Sequence, residues 1–336
     1  MNRLVGVGRT VLPGLGVGVV AASLPYWLIT QQYVLSVVMV AMIYAIAAQG
    51  WNIIGGYGGL LSFGHSVFFG IGAYTTALLT VRLGITPWIG MFIGAAVAAV
   101  VGAILTFPAL RLRGVYFTLA TFVLSLLVTD LAVHFREFTG GDQGLSLPFT
   151  RNNPLMFQFD SSLTLYFVLV AFLAGATLVV AFVARSRLGL FLRATRDDPD
   201  AALASGVNVT RTRLFGLMIS AAITSIAGSL MLEYLRFIDP ATGLGANTAF
   251  IIGLVALVGG RGTVLGPVIG AAVLIPAQQI LSSTFAAAPA GLSGMAYAAI
   301  VVAIMIVDWR GLHHLISRLI GSVRRSLRHR PTGDLS

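Results

Sequence analysis

The sequence predicts an all-α fold: a polytopic helical membrane protein with about ten transmembrane helices, some of them broken by glycine. Hydrophobic residues make up 57% of the 336 residues and charged residues only 10%, and the mean hydropathy is +0.93. A soluble domain has no way to keep this much apolar surface from water. Lipid offers backbone groups no hydrogen-bond partners, and the apolar stretches are long rather than alternating. Helices rather than a barrel are therefore expected to cross the bilayer.

The lengths of the apolar stretches locate the spans, because roughly 20 apolar residues cross a bilayer core. The predicted spans are 11–30, 33–54, 60–80, 87–108, 114–133, 163–184, 213–235, 247–260, 264–283 and 289–307. The first span follows Arg3 and Arg9, a pattern that also fits a signal peptide. We favour an uncleaved first helix, because the apolar run continues through Trp27 and Ile29.

The arginines predict the orientation of these spans. With ten spans and a cytoplasmic N-terminus, only four of the 21 basic residues lie in outer segments: Arg82, Arg136, Arg151 and Arg236. Cytoplasmic segments of membrane proteins carry an excess of basic residues. Both termini, the charged segment (residues 185–213) and a basic tail at 308–336 are therefore predicted to face the cytoplasm.

The composition argues against several classes of function. Every basic residue is arginine, so the lysine of a GxxxxGK[ST] phosphate-binding loop is absent. Cysteine is absent too, which removes disulfides and thiolate metal sites, and we expect no metal and no cofactor. The arginines lie at helix ends rather than in one stripe, so nucleic acid is not an expected partner. The histidines are dispersed and no carboxylates are paired, so we expect no catalytic residues and no enzyme.

Acidic residues are nearly missing from the predicted spans. Only Asp130 and Glu233 fall in them and Asp308 directly follows the last one, so all three lie near a helix end. Carriers driven by proton or sodium gradients keep ionisable groups inside the helix bundle. The energy for any transport by this chain is therefore expected to come from elsewhere.

Two glycine-rich segments interrupt the helical pattern. Gly55–Gly72 and Gly259–Gly270 share the spacing GGxGxxL, which suggests a parallel internal repeat. Interrupted membrane helices in corresponding positions often mark the site where a solute crosses, although glycines also simply permit close helix packing. A lone histidine here is more often packed and hydrogen-bonded than functional. The candidate residues of a translocation path are Asn52, Gly64, His65, Ser66, Tyr74, Thr118, Thr121, Gly259 and Gly260.

The charged segment predicts two short helices on the cytoplasmic face. The first covers Leu188 to Arg196, and Asp198 then caps a second helix that has Pro199 in its first turn. Gly206 is suited to the left-handed conformation that ends a helix. A short, capped, small-residue helix suits docking to a moving partner, and the alternative is a charged loop retained for topology. The candidate coupling residues are Asp198, Pro199, Asp200, Ala201, Ala202 and Gly206.

These motifs resemble a known family. The pattern D-A-A-x-x-x-G at Asp200–Gly206 is similar to the EAA-type coupling loop of bacterial ABC importer permeases, with aspartate in place of glutamate. More specifically, the chain resembles the LivM family, the permease subunit of branched-chain amino acid importers. The resemblance is carried by five ordered blocks: Asn52–Tyr74, Ala109–Phe117, Thr139–Leu145, Arg193–Val209 and Val258–Ala271.

The resemblance implies one permease domain over residues 1–336, in the inner membrane of a bacterium, importing branched-chain or similar small neutral amino acids. It implies four kinds of partner: a homologous LivH-type permease subunit, two cytoplasmic ABC ATPase subunits, a periplasmic substrate-binding protein and the lipid bilayer. The binding protein is expected at the outer loop Val133–Ser162, which contains TGGDQGL.

Two departures from the family pattern leave alternatives open. The C-terminal block reads Asp308-Trp309-Arg310-Gly311-Leu312 rather than a Pro-Arg-Gly-Leu type sequence, and an acidic residue expected near Ala249 or Phe250 is absent. Urea and short amides therefore remain alternative solutes. A stand-alone channel for a small neutral solute and a membrane enzyme acting on lipid-linked substrates are the other functions considered.

Overall fold

The computed structural model describes residue 16 and residues 31–112, 114–149, 153–286, 289, 291–308 and 311–314. The first half of this part contains helices α1 (Gln32–Trp51), α2 (His65–Leu83), α3 (Pro87–Thr106), α4 (Val115–His134) and α5 (Arg136–Thr139). The second half contains α6 (Ser162–Arg185), α7 (Arg187–Asp197), α8 (Pro199–Ala204), α9 (Val209–Leu235), α10 (Pro240–Leu244), α11 (Ala246–Gly260), α12 (Gly266–Thr284) and α13 (Leu292–Val307).

The helical membrane fold predicted from the sequence is confirmed. Eight candidate spans in the described part are long and apolar enough to cross a membrane: α1 with its extension to Tyr57, α2, α3, α4, α6, α9, α10 with α11, and α12. Together with the shorter apolar helix α13, they correspond to the predicted spans from 33–54 to 289–307. The predicted span 11–30 lies outside the described residues apart from Gly16, as does most of the tail 308–336. The count of ten is therefore approximate.

Helix α9 lies at the centre of the bundle, packed against α1, α2 and α3. Glycines make this packing close. A side chain at Gly228 would overlap the backbone carbonyl of Phe69, and one at Gly72 would overlap the carbonyl of Ser225. Where α2 and α9 touch, Thr76 Oγ1 donates to Ser229 Oγ at 2.9 Å. Small residues that let helix backbones approach are the usual solution in a bilayer, where packing rather than water exclusion drives association.

The C-terminal end of α9 departs from purely helical structure. Strand β1 (Leu145–Ser146) pairs antiparallel with strand β2 (Phe237–Ile238), with Leu145 opposite Ile238. Leu147 N also donates to Arg236 O at 2.9 Å. The TGGDQGL segment is thereby fixed to the residues that directly follow α9.

The close packing of α9 predicts opposite effects for two glycine substitutions. We expect Gly228→Ala to destabilise the protein by about 1–3 kcal/mol or more, because its methyl group would have to displace the Phe69 backbone. Gly175→Ala is the control, since nothing lies within 4 Å of a side-chain carbon at this position on α6. It should be neutral or slightly stabilising, because alanine is the better helix former. Thermal unfolding in detergent checks both, and equal melting temperatures would contradict the packing.

Candidate coupling and translocation site

The first glycine-rich break is a wide turn rather than a simple loop. Helix α1 continues into a π-helical turn at Asn52–Tyr57, and α2 begins only at His65. In between, Leu60 N donates to Ile54 O at 3.1 Å, which folds the chain back against its own helix. Gly59 has φ +71, a left-handed conformation that favours glycine. The predicted span 60–80 is therefore observed as 65–83, because residues 60–64 are used to close the turn.

The second break is a short turn between two helices. Helix α11 ends at Gly260 and α12 begins at Gly266, so Gly259 and Gly260 are the last two residues of α11. Thr263 Oγ1 donates to Gly260 O at 2.7 Å and accepts from Gly266 N at 3.0 Å. The two GGxGxxL segments thus take different local conformations, one within a π-helical turn and one at a helix end.

The two breaks meet through the side chain of Asn52. Its Nδ2 donates to Thr263 O at 2.7 Å and its Oδ1 accepts from Gly262 N at 2.7 Å. Asn52 is fully buried, and so is Gln49, whose Nε2 donates to Val264 O at 2.8 Å. Two amide side chains of one helix therefore satisfy three backbone groups of the second break. These three residues are half-buried, and each hydrogen bond typically contributes about 0.5–1.5 kcal/mol to stability.

His65 is a buried structural histidine. Its Nε2 lies 2.8 Å from Ser220 Oγ and its Nδ1 lies 3.1 Å from Ser62 Oγ. Ser220 donates its own proton to Gly50 O at 2.7 Å, so Nε2 carries the hydrogen and Nδ1 accepts from Ser62. The ring is 0% exposed. Both nitrogens are thus used to join α1, α2 and α9, and none is left for a solute.

Other candidate path residues surround the same turn. Thr118 Oγ1 donates to Leu61 O at 2.8 Å, and Thr121 Oγ1 accepts from Phe63 N at 3.2 Å, so both threonines hold the turn against α4. Gly64 and Ser66 are buried beside them. Tyr74 is separate, because it packs with Leu147 and Ile238 near strands β1 and β2. The predicted residues therefore form three groups: Asn52, Gly259 and Gly260; Gly64, His65, Ser66, Thr118 and Thr121; and Tyr74.

The charged segment folds into the two short helices predicted from the sequence, α7 and α8. Asp198 caps α8, its Oδ1 accepting from Asp200 N at 2.9 Å and from Ala201 N at 3.0 Å. Gly206 ends the turn with φ +83. Ala202 packs inward at 5% exposure, whereas Asp200, Ala201 and Leu203 are exposed. Helix α8 therefore presents one face to the protein and another to the cytoplasmic side predicted above.

Helix α7 connects α8 to the first break. Arg196 Nη1 donates to Gly56 O at 3.3 Å, and the guanidinium of Arg193 lies 5.9 Å from the ring centre of Tyr57. From α9, Arg213 Nη2 donates to Thr195 O at 3.2 Å. The sequence places Arg193 and Arg196 in the charged segment but does not predict their contacts with the first break. Their spacing of three residues, which places them on one helical face, is the signal that identifies them.

A cavity of about 330 Å³ borders α8. Leu203 and Asp200 line it from α8, and Arg111 and Arg213 from neighbouring elements. Charges of both signs and an apolar side chain therefore surround an opening next to the coupling candidates. Among the described residues, no group of three histidine, aspartate or glutamate side chains is placed to hold a metal.

The Asn52 contacts predict a large effect from a small substitution. We expect Asn52→Ala to lower the free energy of unfolding by about 2–3 kcal/mol, because two hydrogen bonds to the half-buried Gly262 N and Thr263 O would be lost. The matched control is Asn208→Ala. Asn208 is exposed and caps the start of α9 by accepting from Arg211 N, so its loss should lower the free energy of unfolding by about 1 kcal/mol. Thermal unfolding measured for both variants tests the difference. Equal losses would contradict the role of Asn52.

Comparison with known proteins places these features in a family. Residues 33–308 match the family model described as the permease component of the branched-chain amino acid transport system. The LivM permease proteins of Salmonella typhimurium and Escherichia coli are each 32% identical over 262 residues, which is 71% of this chain and 61% of the relative. The match thus spans less than two thirds of the length of these relatives.

A second kind of permease is also similar. The probable LivH protein of Methanocaldococcus jannaschii is 26% identical over 272 residues, covering 74% of this chain and 83% of its own length. No solved structure matches the chain significantly. Because the family model covers most of the chain, including both glycine-rich breaks and the charged segment, this protein belongs to the family of branched-chain amino acid transport permeases.

Proposed function

We propose that this chain is the membrane-spanning permease subunit of an ABC importer that moves branched-chain, or similar small neutral, amino acids into the cytoplasm. It lies in the inner membrane of a bacterium with both termini in the cytoplasm, and residues 1–336 form one permease domain with a basic tail at 308–336. The observation that carries the proposal is the family match across residues 33–308. The absent lysine supports ATP hydrolysis on separate subunits and no enzymatic activity here.

The similarity to both LivM and LivH proteins supports a second permease as a partner. Two permeases that resemble each other can form a pseudo-symmetric pair around one path, as homologous subunits commonly do. The remaining partners are two cytoplasmic ABC ATPases and a periplasmic substrate-binding protein. Within the outer loop, the TGGDQGL segment contacts the binding protein.

The charged segment, residues 185–213, supplies the coupling between ATPases and path. The exposed side of α8, with Asp200, Ala201 and Leu203, docks to an ATPase, and the adjoining cavity receives part of that partner. Movement of α8 passes to α7, which directly precedes it, and through Arg196 to Gly56 in the first break. Asn52 carries the movement on to the second break.

Helix α9 extends the same connection to the outer side. It begins three residues after Gly206 and its 27 residues cover about 40 Å. Its outer end leads into β2, which pairs with β1 beside TGGDQGL. A displacement at the cytoplasmic end of α9 is thus passed by one continuous helix to the loop proposed for the binding protein.

Uptake by a reconstituted complex tests this function. We expect liposomes containing the chain, its partner permease and both ATPases to take up leucine when ATP and the binding protein are present. The chain alone should give no uptake, because the energy is supplied by the ATPases. Flux through the chain alone would contradict the importer and favour a channel, and uptake of urea but not leucine would contradict the solute.

The coupling role is tested in the same assay by Leu203→Glu, which places a charge on the exposed face of α8. We expect a loss of leucine uptake of about tenfold or more, because a buried apolar anchor of an interface typically contributes 1–2 kcal/mol or more. The control is Leu190→Glu on α7, since Leu190 is 59% exposed and Leu203 is 63% exposed. Its uptake should stay within about twofold of wild type. Equal effects of the two variants would remove the case for α8 as the docking helix.

A further inference from the structure

Three phenylalanines from three separate elements meet beside the first break. Phe63 belongs to the turn between α1 and α2, Phe122 to α4 and Phe250 to α11. The ring centres of Phe63 and Phe250 are 4.8 Å apart and those of Phe122 and Phe250 are 5.6 Å apart, both tilted. Such geometry is favourable for aromatic pairs. The rings nevertheless remain open on one side: Phe250 is 40% exposed, and Phe63 and Phe122 are half-buried.

This aromatic cluster lies close to the middle of the bilayer. Phe122 is seven residues into α4, which places it about 10 Å from the cytoplasmic end of that helix. Phe250 is ten residues before the end of α11, about 15 Å from its cytoplasmic end. The apolar core of a bilayer is about 30 Å thick. The cluster is therefore near the depth at which transporters commonly hold a solute.

The backbone beside the cluster argues that this opening does not face lipid. Residues 58–64 are not helical, and Phe63 and its neighbour Leu61 are only half-buried. Phe63 N and Leu61 O bond to threonines six and three residues into α4, so the turn lies at membrane depth. Irregular backbone at this depth is tolerated only where protein covers it or where it lines a water-filled cavity.

The chemistry of the cluster suits an apolar group rather than a charged or strongly polar one. The nearby hydroxyls of Thr118 and Thr121 are already used, Thr118 donating to Leu61 O and Thr121 donating to Thr118 O. What remains open is aromatic surface, which favours apolar atoms by about 25 cal/mol per Å² removed from water. A compact solute with hydrogen-bonding groups on every side, such as urea, gains little from such a surface.

We infer that Phe63, Phe122 and Phe250 form the apolar part of the translocation site and receive the branched side chain of the transported amino acid. This inference rests on the proposed function, which it deepens by assigning the residues that contact the solute's side chain. The threonines act as positioning residues, because they hold the turn that carries Phe63. The cluster also distinguishes branched-chain amino acids from urea and short amides.

The absence of cysteine from the chain allows a direct test. Phe250→Cys places a single thiol in the cluster, and Val100→Cys places one on the exposed side of α3. Val100 is 53% exposed and six residues before the end of its helix, a depth of about 9 Å. Both variants are assembled with the partner subunits in liposomes and treated with a charged, water-soluble thiol reagent. Modification of this chain is followed by mass.

We expect Phe250→Cys to be modified and leucine to slow the modification, about tenfold at a leucine concentration ten times its Kd by mass action. Urea should give no protection, and Val100→Cys should stay unmodified. No modification of Phe250→Cys, or modification at the same rate with and without leucine, overturns the inference. If Phe250→Cys does not assemble, Phe122→Cys gives the same readout.

Leucine uptake by the wild-type complex separates the two possible failures. If the wild type imports leucine but the thiol is not protected, only the aromatic site is wrong. If the wild type does not import leucine, the proposed function is wrong. Protection by urea instead of leucine contradicts both.

Discussion

A broken helix in a membrane must find hydrogen-bond partners for the backbone groups that the break releases, and here Asn52 supplies them. Its amide both donates to and accepts from the second break while its own backbone lies in the first. Gly262 and Thr263 are half-buried, so removing this side chain leaves their backbone groups without this partner where water reaches them only in part. The two glycine-rich segments are therefore not independent defects. They form one unit, joined by the Asn52 side chain and by close packing of Gly56 against Gly262, and supported by Gln49.

The same unit is tied to both sides of the membrane. On one side, Arg196 of α7 donates to Gly56 O, so the charged segment contacts the first break itself. Within the bundle, His65 links the start of α2 to Ser220 of α9. Helix α9 then leads to β2, which pairs with β1 beside TGGDQGL on the other side. Glycines at the helix contacts make this path close-packed, and close-packed elements transmit displacements rather than absorbing them.

Much of this architecture is predictable from the sequence, because hydropathy and local capping rules determine it. The lengths of the spans follow from apolar composition, and the cap of Asp198 and the left-handed Gly206 follow from interactions within a few residues. The start of α2 was not predictable in this way. Residues 60–64 are apolar enough for a membrane helix, yet backbone bonds to Ile54 and side-chain bonds from Thr118 hold them in a turn. The aromatic cluster and the contact of Arg196 with Gly56 depend on residues far apart in the chain, which no local pattern encodes.

Movement of the charged segment is proposed to reach the broken helices through the hydrogen bond from Arg196 to Gly56 O. The most direct measurement is the number of leucine molecules imported per ATP hydrolysed by the reconstituted complex carrying Arg196→Gln. We expect ATP hydrolysis to continue while the number of leucine molecules imported per ATP falls about fivefold or more, because a hydrogen bond from a charged donor is lost. Arg187→Gln, a change of the same type at an exposed position of α7, should keep the wild-type ratio. An unchanged ratio for Arg196→Gln would contradict coupling through Arg196.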